Sequence, residues 1–115
     1  MGYYSDVAIA LTKKAAALLK AKLTATQGAE KRNLFDHPAQ HTIDETTGEE
    51  LWRWNYVKWY DGYPAVDFVT GFLRELDDED FVFIRVGEDV GDIERYGCFW
   101  QNAFGLDVVT SIVVG

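Results

Sequence analysis

The sequence predicts an α+β domain in which a mostly antiparallel sheet carries two helices on one face. Three observations support this fold class. Segments of alternating, β-branched or aromatic residues recur along the chain, two other segments carry apolar residues at helical spacing, and 115 residues suffice for one core but not for two. The predicted element order is β-α-β-β-α-β-β-β, which is compatible with a ferredoxin-like core extended at its C-terminus.

The first part of the chain supplies one strand and one helix. Polarity alternates from Tyr3 to Leu11, which predicts the first strand. Thr12 is placed to cap a helix over residues 13–23, where Ala, Leu and Lys predominate and the leucines share one stripe. Residues 25–40 include glycine and proline and show little periodicity, so we expect a flexible linker there.

The remaining elements are a hairpin, a second helix and three strands. A turn from Thr46 to Gly48 separates two predicted arms, and aromatic and β-branched residues dominate the second arm. Pro64 is placed as the first residue of a second helix, whose apolar stripe ends near Leu76. The predicted strands of the hairpin and beyond are residues 40–45, 49–60, 81–86, 92–99 and 106–114. One face of this sheet is left open unless a partner covers it.

Composition predicts a soluble domain that needs no metal, cofactor or disulfide. Apolar residues make up 48% of the chain and aromatic residues 15%, which is enough to form a core. The single cysteine, Cys98, has no partner for an internal bridge and is expected to be a buried, inert thiol. We find no secretory signal and no stretch of about 20 apolar residues that would cross a membrane, so we expect a cytoplasmic location.

The charge of the chain is negative and unevenly distributed. The formal net charge is −8, and residues 34–115 hold seventeen of the nineteen acids. Such a field repels phosphate backbones, which argues against direct nucleic-acid binding. Residues 75–94 contain nine acids and one base, without the spacing of a calcium loop. These acids form either a solvated surface or an electrostatic face for a basic partner.

The aromatic segment from Leu51 to Tyr60 contains three of the four tryptophans. Strict strand alternation places Trp59 on the side of the apolar residues of this arm, and Trp52, Trp54 and Tyr56 on the other side together with a lysine. We therefore assign Trp59 to the core and predict that the other three rings are exposed anchors for a partner. The alternative is that all these rings serve core packing.

No motif in the chain names a reaction, and we do not expect an enzyme. A proline separates His37 from His41, and no cysteine or further histidine completes a set of ligands, so no metal site is predicted. The glycines do not form a phosphate-binding pattern. Carboxylate pairs occur, but chance pairing is expected in so acidic a chain.

Several strand-like stretches have a familiar combination of residues. They are Tyr4-Ser5-Asp6-Val7 near the start, Glu50-Leu51-Trp52 and Val57-Lys58-Trp59-Tyr60 in the middle, and the segment from Asp80 to Glu88. In these stretches the chain resembles short uncharacterised acidic proteins of tailed phages and prophages. The resemblance implies an accessory protein in the cytoplasm of an infected bacterium, where it would bind and block a host or defence protein, as an anti-CRISPR-like inhibitor does. No functional residues are carried over from it.

The leading hypothesis is therefore a non-enzymatic protein that binds a basic surface, steered by acids and anchored by aromatic rings. The predicted partner-binding residues are Trp52, Trp54, Tyr56, Glu75, Asp77, Asp78, Glu79, Asp80, Glu88 and Asp89. The alternative hypothesis is a pocket for a nucleotide or similar small ligand on an aromatic sheet face. In that case Arg53, Lys58, Arg85 or Arg95 would balance the ligand's charge.

Overall fold

The computed structural model describes the backbone of residues 2–108 and 112–114 and the side chains of residues 2–106. An α+β arrangement of helices around a five-stranded antiparallel sheet confirms the predicted fold class. The strands are β1 (Ser5–Leu11), β2 (Gln40–Ile43), β3 (Glu50–Val57), β4 (Phe81–Gly87), β5 (Ile93–Gly97), β6 (Leu106–Val108) and β7 (Ile112–Val114). The helices are α1 (Lys13–Ala25), α2 (Ala29–Asp36) and α3 (Pro64–Arg74), and a 3-10 turn at Asp78–Asp80 precedes β4.

The five-stranded sheet has the order β2-β3-β1-β4-β5, and every neighbouring pair is antiparallel. β1 lies at the centre, and its residues 7–11 are fully buried because both faces of this strand are covered. β2 and β5 are the two edges of the sheet. None of the helices in the described part of the chain is long and apolar enough to traverse a bilayer.

Helices α1 and α3 pack on one face of the sheet, as predicted. The side chain of Thr12 caps α1 by accepting a hydrogen bond of 3.3 Å from the backbone N–H of Ala15. α3 begins at Pro64, and its apolar stripe buries Val69 and Phe72. Both helices contribute to the main core, together with inward-facing residues of β1, β3 and β4.

A third helix, α2, occupies part of the segment predicted to be a flexible linker. Its Phe35 is 5% exposed, and the ring packs edge-on against Trp52 and Trp54. Arg32 and Asp36 form an i,i+4 ion pair on the outer side. The linker prediction is wrong, and with it the count of two helices. An eight-residue helix with one fully buried ring leaves almost no periodic signal in a sequence.

The second face of the sheet is largely covered by the chain itself. Phe104 and Leu106 are 7% and 2% exposed and pack with Ala8, Val82 and Ile84 in a second, smaller core. The prediction of an open sheet face is therefore wrong at this place. The predicted strand over residues 106–114 is also wrong, because β6 and β7 pair antiparallel as a separate two-stranded sheet. Residues 109–111 between them lie outside the described part of the chain.

Candidate functional site

Two tryptophans that were predicted to be surface anchors lie in the main core. Trp52 is 6% exposed and Trp54 is 1% exposed, and both rings face the helices. The indole N–H of Trp54 donates a hydrogen bond of 2.6 Å to the backbone carbonyl of Leu34 in α2. The predicted exposure of Trp52 and Trp54 is therefore wrong, and neither ring offers an accessible anchor.

A β-bulge in β3, together with the cover on both faces of the sheet, explains why Trp52 and Trp54 were predicted to be exposed: the core side was assigned from Val57 and Trp59, which lie beyond the bulge. The register between β1 and β3 shifts by one residue between Ser5 and Val7, so β3 holds one residue more than β1 there. Tyr56 takes up the extra residue with a positive φ of 56°. As a result, Val57 lies on the same side of the sheet as Trp54, although simple alternation places the two on opposite sides.

Trp59 and Tyr56 lie as the sequence predicts. Trp59 is partly buried and packs against the main core, with its ring centroid 6.1 Å from that of Trp54. Tyr56 is 67% exposed, and its ring stacks on Tyr4 at a centroid distance of 4.1 Å. Tyr56 is thus the one predicted ring anchor that is accessible. It does not line the groove described below, so the function proposed from that groove does not use it as an anchor.

The predicted acidic surface separates into two groups at opposite ends of β4. Glu75 and residues 77–80 come before this strand, whereas Glu88 and Asp89 follow it in the turn to β5. A strand of seven residues separates its ends by about 20 Å. The acids therefore do not form one continuous patch, although all of them except Asp80 are exposed.

Two acids of the first group are engaged within the chain. Glu75 forms an ion pair of 3.1 Å with Lys22 of α1. Asp80 accepts a hydrogen bond of 3.1 Å from the hydroxyl of Thr12 and lies 3.8 Å from Lys14. These two carboxylates join the 3-10 turn and the end of α3 to α1, which is a structural role.

An open groove of about 950 Å³ runs along β4 and β5 between the two acidic groups. It lies on the sheet face that carries the helices, because its floor includes Phe83, a main-core residue of β4. The end of α3 forms one side, and the residues that follow β3 contribute Trp59 and Tyr60. The edge strand β5 forms the opposite border, so the groove opens toward the unpaired side of the sheet.

A row of three aromatic rings crosses this groove. The ring of Phe83 lies between those of Trp59 and Tyr96, with centroid distances of 5.9 and 5.7 Å. Tyr96 is 55% exposed, and Trp59 is partly buried. Four carboxylates, of Asp61, Asp78, Asp92 and Glu94, and three guanidinium groups, of Arg74, Arg85 and Arg95, line the groove, so four negative and three positive groups give it a formal charge of −1. Phe83 is 3% exposed, so the accessible ring surface is that of Tyr96 and part of Trp59, and it lies beside carboxylates.

A buried guanidinium fixes two of these carboxylates. Arg85 donates hydrogen bonds of 2.6 Å to Asp92 and 2.5 Å to Glu94, and a third of 2.9 Å to the hydroxyl of Ser5. The hydroxyl of Tyr3 donates a further bond of 2.6 Å to Asp92. These bonds hold the N-terminal segment, β4 and β5 together, and they fix the carboxylates at the edge of the sheet.

The pKa values within this network are shifted by its hydrogen bonds. The bonds from Arg85 and then Tyr3 hold the pKa of Asp92 below its ordinary value. The pKa of Tyr3 is raised, chiefly because its hydroxyl donates to Asp92. The pKa of Tyr96 is raised because its hydroxyl donates to Glu94. Asp92 is therefore a fixed negative charge at neutral pH.

Of the four cations proposed to balance a small anionic ligand, two lie away from the groove. The guanidinium of Arg53 donates to Asn55, and the ammonium of Lys58 lies over the ring of Tyr4. Arg85 lines the groove but is neutralised by its two carboxylates, which leaves Arg95. Arg74 of α3 lines the groove as well, although the sequence did not single it out.

The sequence assigned Tyr3, Asp92, Glu94 and Tyr96 to no site, although Asp92 and Glu94 lie in the acidic segment 75–94. Tyr3 lies 89 residues before Asp92 and meets Asp92, Glu94 and Tyr96 only because β1, β4 and β5 are neighbours. A further signal was the alternation of Glu94 and Tyr96 within a short strand, which places both side chains on one face.

Metal ligands and nucleophiles do not cluster in the described residues. Residues 2–106 bring no three His, Cys, Asp or Glu side chains together in a geometry suited to a metal ion. His41 stacks on Trp52 and bonds to Glu50 at 2.6 Å, so it lies away from the groove. Cys98 is exposed, and its predicted burial is wrong because Gly97 turns the chain out of β5 with a φ of 85°.

Comparisons of the chain with protein-family models, with curated proteins and with solved structures found no match. The interpretation of the groove therefore rests on its own geometry.

Proposed function

We propose that the protein is a non-enzymatic binding protein that holds a basic surface of a partner protein in the groove along β4 and β5. The observation that carries this proposal is the ring row of Trp59, Phe83 and Tyr96, lined by carboxylates. Aromatic faces attract ammonium and guanidinium groups, and carboxylates form charge-assisted hydrogen bonds with them. Lysine and arginine side chains of a partner fit both features.

The charge distribution of the chain supports the same partner chemistry. The formal net charge is −8, and one exposed acidic group lies at each end of the groove. A field of this sign accelerates the encounter with a basic surface and repels acidic ones. The exposed acids Asp77, Asp78, Glu79, Glu88 and Asp89 would act in steering, while the rings of the groove would supply the anchors.

The biological setting of this proposal comes from the resemblance to acidic phage proteins. In that setting, the protein acts in the cytoplasm of an infected bacterium and blocks a host or defence protein by occupying its basic surface. Such a surface is typical of complexes that handle nucleic acids. We also propose a ferredoxin-like core as the scaffold, formed by β1 to β4 and the helices that connect them on one face.

Affinity capture followed by kinetics tests the proposal. The immobilised protein would be exposed to lysate of phage-infected bacteria, and the captured partner would be identified by mass spectrometry. Its association rate constant would then be measured between about 50 and about 500 mM salt. We expect the rate to fall by about tenfold or more over this range, because screening removes electrostatic steering. A rate that does not depend on salt would contradict the proposed acidic surface.

A second candidate function is the binding of a small anionic ligand such as a nucleotide. Arg74 and Arg95 line the groove, and its volume of about 950 Å³ lies within the range of small-molecule sites. Thermal unfolding with a panel of nucleotides and metabolites distinguishes this function. A ligand at about a hundredfold excess over its dissociation constant should stabilise the fold by about 2.7 kcal/mol. No stabilisation across the panel would favour the protein partner.

A further inference from the structure

The free edge of β5 offers main-chain hydrogen bonds directly beside the groove. β5 is the last strand of the five-stranded sheet, and within the described residues no other strand pairs with its outer side. The backbone N–H of Gly87 donates to the carbonyl of Asp92, which sets the alternation of hydrogen-bonded pairs between β4 and β5. By this alternation, the backbone N–H and C=O groups of Glu94 and Tyr96 bond to β4, whereas those of Arg95 point outward from the sheet.

The side chains of β5 complement these outward-pointing groups. The side chains of Glu94 and Tyr96 face the groove. Arg95 also borders the groove, but alternation directs its Cα–Cβ bond to the other face of the strand. A strand added beside β5 would place one residue opposite Arg95 and its two neighbours opposite Glu94 and Tyr96. Lysine or arginine at the neighbouring positions would meet a carboxylate on one side and a π-face on the other.

We propose that the partner adds an extended segment to the edge of β5 as a sixth strand, with alternate lysine or arginine side chains in the groove. This inference rests on the proposed function and specifies how the basic surface is bound. Strand addition obtains affinity from main-chain hydrogen bonds and specificity from alternate side chains. A segment of about six or more alternating basic and neutral residues is long enough to pair with all five residues of β5.

A second copy of this chain fits the same edge less well than a basic segment does, because each copy carries a formal net charge of −8. Two antiparallel copies of β5 related by a twofold axis place residues of the same face opposite each other. In the register that pairs all five residues, Arg95 would lie opposite Arg95 of the second copy, and like charges in this position are destabilising. The charge pattern therefore selects a different, basic segment.

Synthetic peptides test this mode of binding without the natural partner. The first probe is a capped heptapeptide in which threonine and arginine alternate. The second has the same composition with its three arginines contiguous, and the third replaces each arginine of the first by neutral citrulline. Isothermal titration should give the tightest binding for the alternating peptide. The contiguous and citrulline peptides should bind at least about tenfold more weakly, because each loses one of the two required features.

A pair of variants at one position isolates the main-chain hydrogen bond. Arg95→Pro removes the outward N–H without removing a bond to β4, whereas Arg95→Ala removes the side chain and keeps the N–H. We expect Arg95→Pro to weaken the alternating peptide at least about tenfold relative to Arg95→Ala. Equal affinities of the two variants would overturn strand addition.

A measurement on the unaltered protein keeps the test decisive if Arg95→Pro does not fold. At saturation with the alternating peptide, the amide hydrogen of Arg95 should become protected from solvent exchange. An unprotected amide would overturn the proposal. If alternating and contiguous peptides bind equally well, strand addition fails while the basic partner of the proposed function still stands. A salt-independent partner would instead refute the proposed function itself.

Discussion

Substitution of Trp54 by alanine should remove a large part of the stability of this fold. The side chain is 1% exposed, so nearly all of its surface, about 200 Å² for an aromatic ring, is buried on folding. At about 25 cal/mol per Å² this burial corresponds to about 5 kcal/mol. Replacing a buried tryptophan by alanine typically costs about 3–5 kcal/mol, which agrees with this value. Loss of the hydrogen bond to Leu34 adds about 1 kcal/mol.

Chemical denaturation followed by far-ultraviolet circular dichroism measures this effect independently of tryptophan fluorescence. We expect Trp54→Ala to lower the free energy of unfolding by roughly 4–6 kcal/mol, most of the stability of an ordinary domain. The matched control is Trp100→Ala, whose ring is 41% exposed and which should stay within about 1 kcal/mol of the wild type. If the two variants were equally stable, Trp54 would not be a core residue and its assignment to the helix-covered face of β3 would be incorrect.

Three further predictions concern the polar network and the backbone. Asp92→Asn should lower the free energy of unfolding above pH 3.8. The difference from the wild type should shrink as the pH falls through the lowered pKa of Asp92, because the protonated wild-type carboxyl loses its charged bond from Arg85. Urea titrations at several pH values measure this difference. Gly97→Ala should cost about 1–3 kcal/mol, since φ is 85° there and a Cβ would meet the carbonyl of Phe81, and thermal unfolding reports it. Glu75→Gln should change the unfolding free energy by less than about 1 kcal/mol in the same assay, because its ion pair is exposed.

The sequence predicted the fold class and most elements because their signals are local. The apolar stripe that begins at Pro64 and the cap at Thr12 each depend on residues within one helix, and both are confirmed. Helix α2 escaped prediction because Phe35 is its only buried side chain, which leaves no apolar stripe in the sequence. Its stability comes from tertiary contacts with the tryptophans of β3, which no local pattern reveals.

The candidate site was less predictable because its residues meet only through strand order. The sequence indicated that aromatic rings and acids contribute to binding, but it predicted the wrong rings of β3 to be exposed: Trp52 and Trp54 are buried. One extra residue at Tyr56 reverses the side of every position beyond it, and such bulges have no reliable sequence signal. The association of Trp59 with Tyr96 across Phe83 depends on the packing of β3, β4 and β5.

The dissociation constant of the captured partner, compared between two exposed tyrosine variants, tests the proposed groove most directly. Tyr96 lies in the groove and Tyr56 outside it, and both side chains are more than half exposed. We predict that Tyr96→Ala raises the dissociation constant by about 30-fold or more, as expected for an anchor worth about 2 kcal/mol, while Tyr56→Ala changes it by less than about threefold. A partner that is weakened by Tyr56→Ala and not by Tyr96→Ala would dock elsewhere and contradict the groove as the binding site.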